Sequence, residues 1–385
     1  MVFAKHTLTS VTLSTIMLTG ITINAAQAKE IRYATGYPPN SIGSIAADKY
    51  VEAIEEYSKG AYTARSYPQT LLSFMEMSDG LRDGLADSGA VLLTYASSQY
   101  PRANMLGEMS MLLDLGDIEA HKSGMAFAGA MAEYMFFNCP SCLAEFTAQN
   151  QVYAGAGAST RYVLLCNKPV VSLADVRGKR LRIGGANWAR WAENLGASPV
   201  SMSVSEMYEG ISQGVLDCTI QSTPELTIFK MMEVVTDITT DVPGGSYGAS
   251  SNSINAQSWA SLSELGRESM LYGTAVTSAD ITWRYAKASI ENMQTARDMP
   301  GITVHEPAAD LAEATEAFIL ADLDNIASTY QSRHDINNAD VLIENFKPIL
   351  ERWVALVKDV DGPEALSKLY WDEVYSKVDV STYGL

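Results

Sequence analysis

Between Ile31 and Thr94 the apolar positions alternate between two periods. Ile31-Arg32-Tyr33-Ala34 reads as a strand. Ile45, Ala46, Val51 and Ile54 keep helical spacing over 42–57, and Lys59-Gly60 supplies a glycine stop. Residues 61–66 predict a second strand. A helix from Ser73 carries Met75, Met77 and Leu81, and the run from Gly89 to Thr94 predicts a buried strand. Strands alternating with helices imply a mostly parallel sheet with helices on both faces.

The same alternation returns at 175–218. Lys179 to Ile183 predicts a strand that runs into Gly184-Gly185. A helical run with Trp188 and Trp191 follows, then a short strand at Pro199-Val200, a helix from Ser203 and a strand ending at Asp217-Cys218. Elsewhere, 117–137 reads as a helix rich in alanine and methionine, with the methionines filling core. Residues 151–166 read as an extended crossing between domains, 228–235 as a helix, and 241–251 as a loop entering a strand. A long helix begins near Leu262, and further helices cover 308–329, 341–360 and 363–375. Neither a short-period repeat nor a low-complexity segment interrupts this α/β pattern.

The first 28 residues depart from it. Lys5 precedes a short apolar stretch, Val11 to Ile23, and Ala26-Gln27-Ala28 has the small-x-small form of a cleavage site. This predicts an export signal removed after Ala28 and a periplasmic mature protein. The stretch is shorter than the about 20 apolar residues a spanning helix needs.

A net charge of −18 argues against a nucleic-acid partner, which wants a basic face. It also makes a local positive feature conspicuous. Arg182 stands near the carboxyl end of a predicted strand, where open α/β sheets bind ligands. A guanidinium there can hold a carboxylate through two parallel hydrogen bonds. Enzyme signatures are missing: the histidines form no H-E-x-x-H or H-x-H pair, and there is neither a G-x-S-x-G elbow nor a phosphate-binding loop. Nothing in the sequence calls for a cofactor or a metal.

The four cysteines are Cys139, Cys142, Cys166 and Cys218. Export favours disulfides, with three pairings open, among them Cys139 with Cys142 and Cys166 with Cys218. A thiol or metal-dependent enzyme built on Cys139 and Cys142 is the competing reading.

Several motifs in order carry a resemblance. They are Tyr57-Ser58-Lys59-Gly60, Tyr67-Pro68, Gly80 to Gly84, Gly178 to Arg182, Gly196 to Pro199, Ser205 to Tyr208, Leu216-Asp217-Cys218, and Ser253-Ile254-Asn255 with Trp259. The chain after residue 30 resembles the substrate-binding proteins of tripartite ATP-independent periplasmic (TRAP) transporters, of the DctP type. The resemblance implies a two-lobed, type II-like periplasmic binding protein fold with discontinuous lobes, hinge strands and a long lobe-spanning helix. It places one lobe at 29–158 plus 273–312 and the other at 159–272 plus 313–385. It also implies a receptor, not an enzyme, that delivers a small organic anion to membrane-embedded permease subunits. A receptor of an ATP-driven uptake system is the alternative with a similar form.

The resemblance assigns Arg182 to the ligand carboxylate and brings in Arg161 as a second arginine. Asn187 and Trp188 join from the following helix start, with core packing the alternative for Trp188. Gln221, Ser222 and Thr223 follow the strand that ends at Cys218, where Cys218 replaces the family's glycine. Tyr247 falls near a polar contact position. Tyr37, Asn40, Leu72, Phe74 and Tyr95 are lining residues expected from the first lobe. The tryptophan-bearing segment favours a monoanion with an apolar or aromatic body.

Overall fold

The computed structural model describes residues 1–4 and 29–385, so the signal segment and its cleavage site at Ala28 lie outside the described residues. The first unit is β1 (Lys29–Thr35), α1 (Ile42–Tyr57), β2 (Tyr62–Pro68), α2 (Met77–Arg82) and β3 (Ser88–Val91). β1 runs parallel to both β2 and β3. α3 (Pro101–Gly107), α4 (Ser123–Asn138) and α5 (Pro140–Ala148) then lead to β4 (Gln151–Ala158).

The second unit opens with β5 (Tyr162–Cys166), α6 (Leu173–Val176), β6 (Arg180–Ile183) and α7 (Ala186–Asn194). It continues through β7 (Ser198–Ser201), α8 (Met207–Ser212), β8 (Cys218–Ser222), α9 (Glu225–Ile228) and β9 (Asp237–Thr239). The chain then returns with β10 (Gly248–Asn255) and α10 (Ala256–Ala260), and runs on through α11 (Glu264–Asp298), β11 (Thr303–His305), α12 (Ala309–His334), α13 (Ala339–Leu356) and α14 (Pro363–Glu373).

These strands make two sheets, ordered β2-β1-β3-β10-β4 and β11-β9-β5-β8-β6-β7. Each is mixed: β10 is antiparallel to β3 and β4, and β5 is antiparallel to β8 and β9. The sequence-based lobe limits differ from this pairing. β10, expected in the second lobe, lies in the first sheet, and β11, expected in the first lobe, pairs with β9 in the second. α13 and α14, expected in the second lobe, pack on α4 and α11 and put Phe346, Trp353, Leu366 and Tyr370 into the first core. An apolar stripe shows that a helix face is buried, but not against which sheet.

The helix expected over 228–235 is also absent in that form. α9 ends at Ile228, Lys230 takes a left-handed backbone (φ 56°), and only a 3₁₀ turn at Met231–Glu233 follows. A left-handed residue cannot continue an α-helix.

α4 carries the first core. Nearly every residue from Ser123 to Phe136 is buried, so the helix is apolar all round and needs small or adaptable side chains. Two further cores lie on the two faces of the second sheet. The chain crosses between sheets at 159–161 and 240–247. α11 also spans both: it packs along α1 and β4, while Asn292 near its far end donates to the Thr223 carbonyl at 2.9 Å.

Candidate functional site

The carboxyl ends of β1, β3, β6 and β8 converge between the sheets, where Thr35, Ala90, Arg182 and Gln221 face one cavity. Measured to the centre of a water-sized sphere, the cavity holds about 80 Å³. One water needs roughly 10–15 Å³ on that scale, so the space suits a small molecule or a few waters. Tyr33, Phe74, Leu92, Tyr162, Phe229 and Ile281 give it a largely apolar and aromatic wall.

Arg182 is its dominant charge, and it is only 1 % exposed. Its Nε donates to the Met202 carbonyl at 3.0 Å and its Nη2 to Tyr95 Oη at 3.1 Å. Nη1 is buried with no hydrogen-bond partner. Tyr95 also accepts from the Val204 amide at 2.8 Å, so a first-unit hydroxyl fixes a second-unit arginine. Gly184 eases the fit. A Cβ there would stand 3.2 Å from Nη1 of Arg182.

A hydroxyl chain faces the arginine across the cavity. Tyr37 and Tyr285 share a hydrogen bond at 3.0 Å, Tyr285 donates to Glu225 Oε1 at 2.9 Å, and Ser222 donates to Glu225 Oε2 at 2.6 Å. Burial pushes the Glu225 carboxyl up to about 7, against the lowering influence of Ser222, Tyr285 and Arg182. Gly43 admits Tyr37 to this arrangement, because a Cβ at 43 would collide with the ring. Tyr37 meets Phe74 edge-on, with centroids 5.0 Å apart.

The residues expected from the sequence separate into groups. Arg182, Gln221, Tyr247, Phe74, Tyr95 and Tyr37 line the cavity. Ser222 stands behind it, as the hydroxyl that fixes Glu225. Trp188 stacks on the cavity residue Tyr162, rings 4.2 Å apart and nearly parallel, and its Nε1 donates to the Gly244 carbonyl. Asn187 and Thr223 are buried away from the cavity, and Leu72 belongs to the first core.

Arg161 and Asn40 need correction. Arg161 is engaged by Asp114 at 2.5 Å and Asp241 at 3.2 Å and lies outside the cavity. Its neighbour Tyr162 lines the cavity instead, since adjacent residues of an extended chain face opposite ways. Asn40 is an exposed turn residue with a left-handed backbone (φ 63°).

Sequence reasoning missed Glu225, Tyr162, Phe229 and the α11 residues Thr277, Ile281 and Tyr285. Glu225 was within reach: it opens a helix three residues past the carboxyl end of β8. The α11 residues carried no signal, because a single helix face does not show which cleft it crosses.

The cysteines form Cys139–Cys142 and Cys166–Cys218 disulfides. All four are fully buried, which denies a partner thiol access to the first pair. Among the described residues no cluster of His, Cys, Asp or Glu could hold a metal ion, and no helix is long and apolar enough to cross a membrane.

Two sheets joined by crossing segments and closing on a buried arginine define the class of two-lobed solute-binding proteins. Residues 33–327 match the family model described as bacterial extracellular solute-binding protein, family 7, and the chain belongs to that family. A solute-binding protein of Albidiferax ferrireducens is 22% identical over 199 residues, 51% of this chain and 54% of that one. The chain thus spans about half the length of this curated relative. It is 32% identical over 96 residues to the uncharacterized protein YiiZ of Salmonella typhimurium, covering 24% of this chain and 29% of YiiZ.

Solved structures share the fold. An extracytoplasmic solute receptor of Bordetella pertussis that binds pyroglutamic acid superposes with a TM-score of 0.69 at 18% identity, covering 83% of this chain and all of that one. A TRAP periplasmic solute binding protein of Bordetella bronchiseptica with bound mandelate gives 0.70 at 20% identity, over 86% of this chain and 100% of its own. A marine metagenome TRAP protein specific for aromatic acid ligands gives 0.70 at 18%, over 84% and 99%.

Proposed function

We propose that this protein is an exported receptor that captures a small organic acid between its two lobes and delivers it to a TRAP-type membrane permease. One observation carries the reading: a buried arginine with an unpartnered Nη1 faces an apolar, aromatic cavity. A buried cation without a counter-charge is costly, and a carboxylate accepting from Nη1 and Nη2 removes that cost. The aromatic wall suits a compact monoanion, and the ligands of the similar structures (pyroglutamate, mandelate and aromatic acids) are of that class.

The residues proposed for binding are Arg182, Tyr95, Phe74, Gln221 and Tyr247, with Tyr162 held by Trp188 as one wall. The mechanism is capture and closure about the crossings at 159–161 and 240–247, with no bond chemistry. Closure excludes water, which strengthens the arginine–carboxylate pair. Export with cleavage after Ala28 belongs to this reading, and N-terminal sequencing of the secreted protein tests it.

The deciding experiment is a thermal-shift panel of small organic acids on wild type and Arg182→Ala. A ligand at 100 times its Kd adds about 2.7 kcal/mol of stability. The expected result is a rise in Tm with one class of acids, lost in the variant, whose affinity falls at least about 100-fold. A wild type that responds to no acid in a broad panel, or a variant that responds as well as wild type, overturns the proposal.

A further inference from the structure

We infer that the ligand carries, close to its carboxylate, a hydrogen-bond donor (an N–H or O–H), and that Glu225 accepts it. The inference rests on the receptor reading and narrows its substrate class from organic acids in general to acids with a neighbouring donor, such as hydroxy acids, lactam acids or amino acids.

Glu225 is 4 % exposed and lines the same cavity as Arg182. The two buried, oppositely charged side chains do not pair. Arg182 donates from Nε to Met202 and from Nη2 to Tyr95 and keeps Nη1 unpartnered, while the Glu225 carboxyl accepts from the hydroxyls of Ser222 and Tyr285 and from its own backbone amide. No lysine, arginine or histidine forms an ion pair with Glu225 among the described residues. Ser222 and Tyr285 hold the carboxyl from two sides and set it as an acceptor. A carboxylate has about four acceptor sites, so capacity remains for a ligand.

A ligand with a carboxylate and nothing else would satisfy Arg182 and add a second negative charge to a closed cavity that already contains Glu225. Its affinity would be reduced by that repulsion. A ligand whose donor lies beside its carboxylate answers both groups at once. Burial raises the Glu225 carboxyl to about 7, and a hydrogen-bond donor on the ligand would favour its charged form. A purely structural Glu225, present only to fix Tyr285 and Ser222, would give the cavity no reason to prefer donor-bearing acids.

Matched acids separate these roles. Mandelate and phenylacetate differ by one hydroxyl, and pyroglutamate and cyclopentanecarboxylate differ at the ring amide. Calorimetric titration of the wild type at pH 8 should find the donor-bearing member at least about tenfold tighter, as a hydrogen bond to a charged group predicts. Glu225→Gln should collapse that ratio by weakening the donor-bearing acid, while the donor-lacking acid binds as well or better once the negative charge is gone. Should the glutamine variant fail to fold, Glu225→Asp takes its place: it keeps the charge but shortens the reach, and the ratio should fall again.

If wild type binds both members of each pair equally, and Arg182→Ala abolishes both, the receptor reading stands and this inference is wrong. A donor preference that survives Glu225→Gln or Glu225→Asp unchanged also overturns it, since the donor is then read elsewhere. If no acid of either kind binds the wild type, the receptor reading itself falls.

Discussion

Arg190 shows by contrast why Arg182 is suited to a ligand. Arg190 bonds Asp322 through Nε and Nη2 and Glu108 through Nη1, all at 2.7 Å. Tyr330 also donates to Glu108. Burial pushes the Glu108 carboxyl up, while Arg190 and Tyr330 pull it down. All of this arginine's charge is used within the protein, tying α7 to α12 and to the turn before α4. Removing it leaves two buried carboxylates without a cation. Arg190→Ala should cost about 3–5 kcal/mol in denaturant unfolding, whereas Arg182→Ala, which breaks no ion pair, should cost clearly less without ligand. Equal losses for the two variants would contradict this division. The sequence singled out Arg182 but could not show that Arg161 and Arg190 are engaged within the protein, because the acids that engage them are Glu108, Asp114, Asp241 and Asp322. Those partners lie 47 to 132 positions away along the chain, beyond anything local spacing registers; only the folded chain brings them together.

At the scale of elements, the second sheet fixes the arginine strand. β6 lies between β7 and β8, and β8 is joined to β5 by hydrogen bonds and by the Cys166–Cys218 disulfide, whose cysteines face each other in register. The bridge spans a sequence separation of 52, so its entropic contribution is sizeable. Cys166→Ser with Cys218→Ser should cost about 2–4 kcal/mol, read as a lower denaturant midpoint. The Cys139–Cys142 bridge, with a separation of 3, should matter less. If the local bridge proves the larger contributor, the loop-closure argument fails. Elements with strong local signals were legible: the β1–β3 unit, the arginine strand with its glycine turn, the tryptophan helix and the long helix near 262. The false helix at 228–235 and the misassigned β10, β11, α13 and α14 were not, since backbone handedness at Lys230 and strand partners are set by neighbours remote in the chain.

Across the whole molecule, buried acids set the response to pH. Burial raises Glu225 and Glu145 to about 7, in Glu145 against hydrogen bonds from the Arg102 and Ala103 amides. The folded state therefore keeps protons on these groups at pH values where the unfolded chain, titrating near 4.5, has released them. Stability falls as pH rises from that value through 7. Asp217 works the other way. Its hydrogen bonds with Arg180 hold it below the usual carboxylate value of 3.8, so its contribution is present above that pH and is lost as pH falls further. The net charge of −18 adds repulsion at neutral pH that acid relieves. The ligand-free Tm should peak near about pH 5 and decline toward pH 8, with Glu145→Gln and Glu225→Gln each flattening the decline. A Tm that climbs steadily from pH 5 to 8 would refute this assignment.

The sequence by itself determined the α/β alternation, the resemblance to an organic-acid receptor and the strand that delivers Arg182, because periodicity, glycine turns and motif order are local properties written along the chain. Only the tertiary structure decided which arginines are engaged in ion pairs, that Tyr162 and not Arg161 lines the cavity, and that Glu225 stands in the same cavity as Arg182. Those outcomes depend on where two sheets, two crossings and one long helix meet, and a buried charge is free or spent according to neighbours that no local pattern specifies.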